Sequence, residues 1–246
     1  MKSESHRLSN DVNLMKKSFP ILCFLFMLCC TAYAQGNKSF TILPGENILS
    51  VIPAAERMAF SDFQRGVIFF ENGARSTATL NISFLTQELL FINASGDTLS
   101  LSNAKEVKWV QTPSDPLYNA SGRFVKKDTV IGNITLAVNY AFSTGDRRKV
   151  GAFGTTTDGA TDSYIALDAA NIGITDVTPQ VQVVLLRKPL FYFGNSDMKF
   201  LPAGKKQLNA LFPGKQVFIN RYLQEKQVNF SSRSDLIALL AFLHQP

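Results

Sequence analysis

Short segments that alternate apolar and polar residues recur through the middle of this chain, and their spacing restricts the fold more than any other feature. Strand candidates begin at intervals of 8 to 11 residues, near Gly66, Thr77, Glu88, Thr98 and Glu106. Between the first two, Asn72-Gly73 suits a two-residue hairpin turn, which needs positive φ at both positions. This rhythm predicts an antiparallel meander that closes, or nearly closes, into a small barrel.

The C-terminal quarter changes from strand-like to helix-like patterning. Apolar residues recur at helical spacing in residues 204–212, 215–226 and 236–243. One of Ser231, Ser232 or Ser234 should cap the last helix. The predicted fold class is therefore α+β: mainly antiparallel β, as a small barrel-like meander plus additional strands, with a C-terminal bundle of about three short helices.

These patterns divide the chain into four regions. We predict a signal peptide at 1–34, a β-meander or small barrel at 35–112, a second β region at 113–202 and a helical segment at 203–246. The second β region contains a long stretch rich in Gly, Thr and Asp, residues 143–179, with no clear period. A loop of this length inside a compact domain is usually functional or disordered.

The N-terminal region has the order of a secretory signal. Two lysines after Met15 precede an apolar run, which ends in the small-x-small tripeptide Ala32-Tyr33-Ala34. The run is about a dozen residues long, whereas a membrane span needs roughly 20. Cleavage near Ala34 would make the chain secreted or periplasmic, and a lipid anchor on a cysteine of the run is the alternative. Either Met1 or Met15 would serve as the start.

Cleavage would remove every thiol, because the three cysteines all lie in the leader, at Cys23, Cys29 and Cys30. The remaining chain keeps one histidine, His244. Ser-His-Asp and Cys-His triads, and zinc sites built on Cys or His, need groups that such a chain lacks. We therefore predict no catalytic, cofactor-binding or metal-binding residue and no cofactor, and we lean towards a protein that is not an enzyme.

Carboxylates are the catalytic groups that remain, because glycoside hydrolysis can proceed on two acids without a cofactor. The candidates are Asp158, Asp162, Asp168 and Asp176 in the 143–179 segment and Glu88, Asp97 and Glu106 among the barrel strands. Spacing alone does not pair them, and Asp97 is expected to accept backbone hydrogen bonds in its turn. Residues 158–162 could also offer oxygens to calcium, but they lack the ligand register and closing Glu of an EF-hand.

Positive charge is concentrated at the C-terminus. Residues 187–246 hold 9 basic and 3 acidic residues, whereas residues 35–186 hold 12 basic and 14 acidic ones. Such a tail would attract anionic lipid headgroups, or it is simply the wet side of amphipathic helices. Trp109, the only tryptophan, would either stack on a sugar ring or anchor the core, and the core role is favoured.

A set of turn glycines and core positions is distributed over residues 64 to 243. They are Gly66-Val67, Asn72-Gly73, Leu80-Asn81, Thr86, Glu88–Ile92, Gly96–Leu99, Gly151–Gly154, Lys205-Lys206, Leu211–Pro213 and Asp235-Leu236. In these positions the chain resembles a family of uncharacterised exported proteins of Gram-negative bacteria. The resemblance implies export and a shared fold, and it implies no activity and no catalytic residue.

Three functions follow as hypotheses. The first is an exported, non-enzymatic module of the cell envelope that binds a protein, a glycan or an anionic surface. The alternative is a cofactor-free, carboxylate-dependent glycan hydrolase. The second alternative is a phospholipid binder that uses the basic C-terminal helices. We expect no nucleic-acid partner, and a soluble chain rather than one that spans a membrane.

Overall fold

The computed structural model describes residues 38–144, 148–150, 156–158, 178–179 and 182–245. The predicted signal peptide, most of the 143–179 stretch and Gly151–Gly154 lie outside these residues. The strands are β1 Lys38–Ile42, β2 Gln64–Phe70, β3 Arg75–Ser83, β4 Glu88–Ile92, β5 Thr98–Ser100, β6 Val107–Gln111, β7 Leu117–Ala120, β8 Arg123–Ile131, β9 Ile134–Thr144, β10 Arg148–Val150, β11 Thr156–Asp158, β12 Val183–Gly194 and β13 Phe200–Pro202. The helices are α1 Ile48–Val51, α2 Ala54–Arg57, α3 Lys205–Leu211, α4 Gln216–Lys226 and α5 Arg233–Leu243, with a 3-10 turn at Ala104–Glu106.

One antiparallel sheet of eleven strands organises the described chain. Its order is β1-β12-β9-β8-β7-β6-β2-β3-β4-β5, and β13 pairs with the end of β12. The sheet runs without a break across residue 112, because β6 pairs with β7. The short strands β10 and β11 pair with each other inside the long stretch where no element was predicted. The predicted fold class, mainly antiparallel β with a few C-terminal helices, is confirmed.

The predicted meander is barrel-like, although its strands differ from those expected. The fifth predicted strand, β6, pairs with β2 rather than with β5, so β7 and β8 extend the curl until β8 contacts β4. No ladder joins β4 to β8 among the described strands, so this barrel is nearly closed. Its interior holds a cluster of buried apolar side chains: Phe60, Ile68, Leu80, Ile82, Leu89, Val107, Val110, Leu117 and Phe124.

The turn at Asn72-Gly73 is present but is longer than predicted. The Phe70 N–H donates to Ala74 O, which leaves a three-residue loop, and in it only Gly73 has positive φ, at 84°. The side chain of Asn72 accepts from the Ala74 N–H at 2.9 Å. Asn72 thus supports the turn with its side chain instead of adopting the left-handed backbone itself.

The three C-terminal helices cover one face of β9 and β12, as one core cluster shared between sheet and helices. Ser232 is the cap of α5, where its hydroxyl accepts from the Asp235 N–H at 3.3 Å. Hydrogen bonds from the Asn229 N–H and from Ser232 hold the pKa of Asp235 below its usual range, which keeps a negative charge at the positive end of α5. None of the described helices is both long enough and apolar enough to cross a bilayer.

His244 fastens the end of α5 to the hairpin between β8 and β9. Its Nδ1 lies 2.8 Å from Leu240 O, and its Nε2 lies 2.9 Å from Asn133 Oδ1. Gly132 has a φ of 59°, and a Cβ on it would lie 2.0 Å from the imidazole. The ring also meets Phe212 edge to face, at 5.2 Å between centroids. His244, the single histidine outside residues 1–34, therefore occupies a structural position.

Candidate functional site

The site originates where two neighbouring strands separate. The β8–β9 ladder ends at Lys126 opposite Val138. Beyond that pair, the start of β8 stays with β7, while the rest of β9 stays with β12. A wedge opens between the two strands, and the turn between β3 and β4 enters it.

Gln87 secures this turn in the wedge. Its Nε2 donates to Tyr140 O and to Phe84 O, both at 2.8 Å, and its Oε1 accepts from Asn139 Nδ2 at 2.7 Å. Gln87 has a φ of 60°, an uncommon backbone conformation for a residue other than glycine. One amide side chain thus ties the barrel-like meander to β9.

A cavity of about 390 Å³ lies beside this turn. Its wall combines polar and apolar side chains, and the apolar ones include Met58, Phe60, Ile82, Phe84, Leu117, Phe124, Val138 and Tyr140. The charged lining consists of three cations and one carboxylate: Lys126, Lys127, Arg187 and Asp128. A concave apolar wall with a few polar groups is typical of small-molecule sites.

Arg187 is the most constrained charged group of the cavity. Its guanidinium lies 3.6 Å from the ring centroid of Tyr140 and 5.4 Å from that of Phe84. Its Nε donates to Glu56 O at 2.9 Å. Only 16% of the side chain is exposed, and no hydrogen bond to a described residue uses either Nη atom. The fork of donors is therefore held in place and available to a ligand.

Ion pairs leave an excess of positive charge around the cavity. Glu56 contacts both Lys38 and Arg187, so one carboxylate faces two cations. By contrast, Lys126 pairs with Asp115 at 2.6 Å. The single carboxylate of the lining, Asp128, accepts from Arg233 Nε with both oxygens, at 3.0 and 2.8 Å. Both carboxylate oxygens of Asp128 are therefore engaged by one guanidinium.

The structure does not bring the predicted carboxylates together at the cavity. Glu88, Asp97 and Glu106 are described, and none of them contributes to its lining. Asp97 accepts from Asn93 Nδ2 at 3.0 Å within its turn, so its donor is a side chain where a backbone N–H was expected. Glu88 has one buried oxygen with no hydrogen-bond partner in the described part of the chain. Asp158 lies on β11, while Asp162, Asp168 and Asp176 lie outside the described residues.

Trp109 lies on the outer face of the sheet, half-buried, and does not belong to the barrel core. It stacks on Phe69, with ring centroids 4.3 Å apart and planes 3° from parallel. The other face of Phe69 carries the Arg75 guanidinium at 5.0 Å. These three side chains stack across neighbouring strands and so stabilise the sheet. The expectation that Trp109 anchors the core is therefore wrong, because Trp109 stabilises the outer face of the sheet instead.

Sequence reasoning missed Arg187, although a signal was present. Leu185, Arg187, Phe191 and Phe193 are separated by even intervals, so a strand places them on one face. A charge among inward-facing apolar residues indicates a buried, functional or paired group.

No family model, curated protein or solved structure matches this chain. Within the described ranges, no three His, Cys, Asp or Glu side chains are placed to hold a metal ion. The cavity is therefore the main basis for a functional argument.

Proposed function

We propose that this chain is an exported, non-enzymatic binding module of the bacterial envelope, and that it takes its ligand in the cavity lined by Phe84, Tyr140 and Arg187. The observation that carries the proposal is the guanidinium of Arg187, which lies over the Tyr140 ring and beside Phe84, and whose Nη atoms make no hydrogen bond to a described residue. Export rests on the leader and on the family resemblance.

Three of the four charged side chains in the described lining are held in ion pairs, which supports binding over catalysis. General acid-base chemistry needs a positioned group that can exchange a proton. Asp128 is held by Arg233 through both oxygens, and the remaining charged lining is cationic. No observation on the described acids favours the glycan hydrolase.

Ligand-observed NMR with a mixture of small anionic, neutral and cationic organic molecules tests this proposal. Ala55 is exposed and lines the rim of the cavity, whereas its neighbour Ala54 is exposed and does not. We expect cavity ligands to show saturation transfer to the wild-type protein. Ala55→Trp should abolish that transfer by blocking the rim, and Ala54→Trp should leave it intact.

The same spectra separate binding from turnover. Every molecule that binds should be recovered chemically unchanged after prolonged incubation, and so should an added oligosaccharide. If the signal of a bound molecule falls while the signal of a product grows, the protein is an enzyme and the proposal of a non-enzymatic binding module is wrong. If saturation transfer persists in Ala55→Trp, or if no molecule shows transfer to the wild-type protein, the cavity is not the binding site.

Binding to anionic phospholipid is a second candidate, because α4 exposes apolar side chains beside a cation. Val217 is 78% exposed and Phe218 is 48% exposed, and Arg221 lies over the Phe218 ring. Not every tail cation is available, since Lys215 Nζ donates to Leu243 O at the end of α5. Co-sedimentation with phosphatidylglycerol vesicles should fall about ten-fold in Val217→Ser/Phe218→Ser and weaken steeply with salt. Equal binding to phosphatidylcholine vesicles would refute this candidate.

A further inference from the structure

We infer that the ligand of the cavity is an amphipathic monoanion: a carboxylate bound by Arg187, with an apolar chain or ring against Met58, Phe60 and Phe124. This inference rests on the proposed function, because it names the chemical class that the same cavity takes. Three properties of the cavity lead to it: the geometry of the cation, the local charge and the size of the space.

The first property is the geometry of the cation. Glu56 contacts Arg187 through the Nε, and within the described part of the chain neither Nη atom has a hydrogen-bond partner, so the two Nη atoms offer a planar fork of donors. Such a fork matches two oxygens of one carboxylate in bidentate geometry. The rings of Tyr140 and Phe84 shield the guanidinium from water, and a charge-assisted hydrogen bond is stronger in such a place than at an open surface.

The second property is the local charge. Lys126 is neutralised by Asp115, and Asp128 by Arg233. Lys38 and Arg187 share the single carboxylate of Glu56, so these three side chains together carry one net positive charge. Lys127 is exposed, so its charge is screened by solvent. A ligand with one negative charge would balance the net positive charge of Lys38, Arg187 and Glu56, and a dianion would exceed it.

The third property is the size of the space. A volume of 390 Å³ corresponds to about a dozen waters at roughly 30 Å³ each, and hence to a ligand of about ten non-hydrogen atoms. The apolar side chains of the lining offer the rest of that ligand packing but no hydrogen-bond partner. Octanoate has this size and this distribution of polarity, and it serves as the probe.

Titration calorimetry on the wild-type protein with four octyl compounds tests the inference without any mutation. Octanoate should bind at least about ten-fold more tightly than 1-octanol, because only the carboxylate gains charge-assisted hydrogen bonds. Octyl phosphate should bind no more tightly than octanoate, and octyltrimethylammonium should not bind. Ala55→Trp should abolish the octanoate signal, which places it in this cavity.

Variants then assign the head group to Arg187. Arg187→Gln should weaken octanoate at least about ten-fold and remove its advantage over 1-octanol. Lys188→Gln is the matched control: it removes a cation from the next position on β12, outside the lining, and should leave affinity unchanged. Glu56→Gln should favour octyl phosphate over octanoate by raising the local charge. Far-UV circular dichroism confirms that each variant is folded.

The possible outcomes separate this inference from the proposed function. If 1-octanol binds as tightly as octanoate, the cavity takes neutral ligands and the inference is wrong, while the binding module stands. If octyl phosphate binds about ten-fold more tightly than octanoate, the inference of a monoanionic ligand is wrong and the cavity prefers a phosphate head group. If molecules of the NMR mixture bind in the cavity but octanoate does not bind, the inference is wrong and the proposed binding function stands. No ligand in either experiment would refute both.

Discussion

Replacing Phe193 by alanine is expected to remove about 3–5 kcal/mol of unfolding free energy. Phe193 is 1% exposed and belongs to the cluster between the sheet and the C-terminal helices. Truncation would leave a cavity among Leu136 of β9 and buried leucines of α3 and α5. Because domains are stable by only about 5–15 kcal/mol, urea unfolding followed by circular dichroism should show a large shift of the midpoint.

Phe218→Ala is the matched control, because it makes the same chemical change on α4 where the side chain is 48% exposed. A surface truncation of this kind should change the unfolding free energy by less than about 0.5 kcal/mol. Equal effects of the two substitutions would mean that the helices do not share a core with the sheet. The prediction thus tests whether the basic tail is part of the folded unit rather than an appendage.

Local features of the fold could be predicted from the sequence. Helices α3 and α4 lie within the ranges that apolar spacing indicated, whereas α5 begins three residues before its range, at Arg233. Its cap, Ser232, is one of the three serines proposed. These features depend on residues within one or two turns of each other. Their physical causes are therefore visible in a short window of sequence.

The cavity could not be predicted, because its contacts join distant parts of the chain. Gln87 and Tyr140 are 53 residues apart, and Arg187 and Glu56 are 131 apart. The separation of β8 from β9 depends on where their ladder ends, and no local pattern encodes that position. The same limit explains β6, whose pairing with β2 instead of β5 changed the strands of the barrel.

Gln87→Gly and Gln87→Ala should both lower the free energy of unfolding. For Gln87→Ala we expect a loss of about 3 kcal/mol. The substitution leaves the Asn139 amide, Tyr140 O and Phe84 O without their partner, and each buried group so orphaned costs about 1–3 kcal/mol. Asn139 is 2% exposed, so water does not readily replace the lost bond. Urea unfolding gives the free energy, and amide exchange in β9 should report opening of the wedge.

The choice of substitutions separates the hydrogen bonds of Gln87 from its backbone strain. A residue with a φ of 60° is relieved by glycine, so strain alone would make Gln87→Gly as stable as the wild type. Loss of the hydrogen bonds instead predicts that the glycine and alanine variants both lose stability. Gln87→Glu retains an acceptor for Asn139 but cannot donate to the two carbonyls, and we expect it to be no more stable than Gln87→Ala. A wild-type midpoint for the glutamate variant would show that the turn is held in the wedge by packing alone.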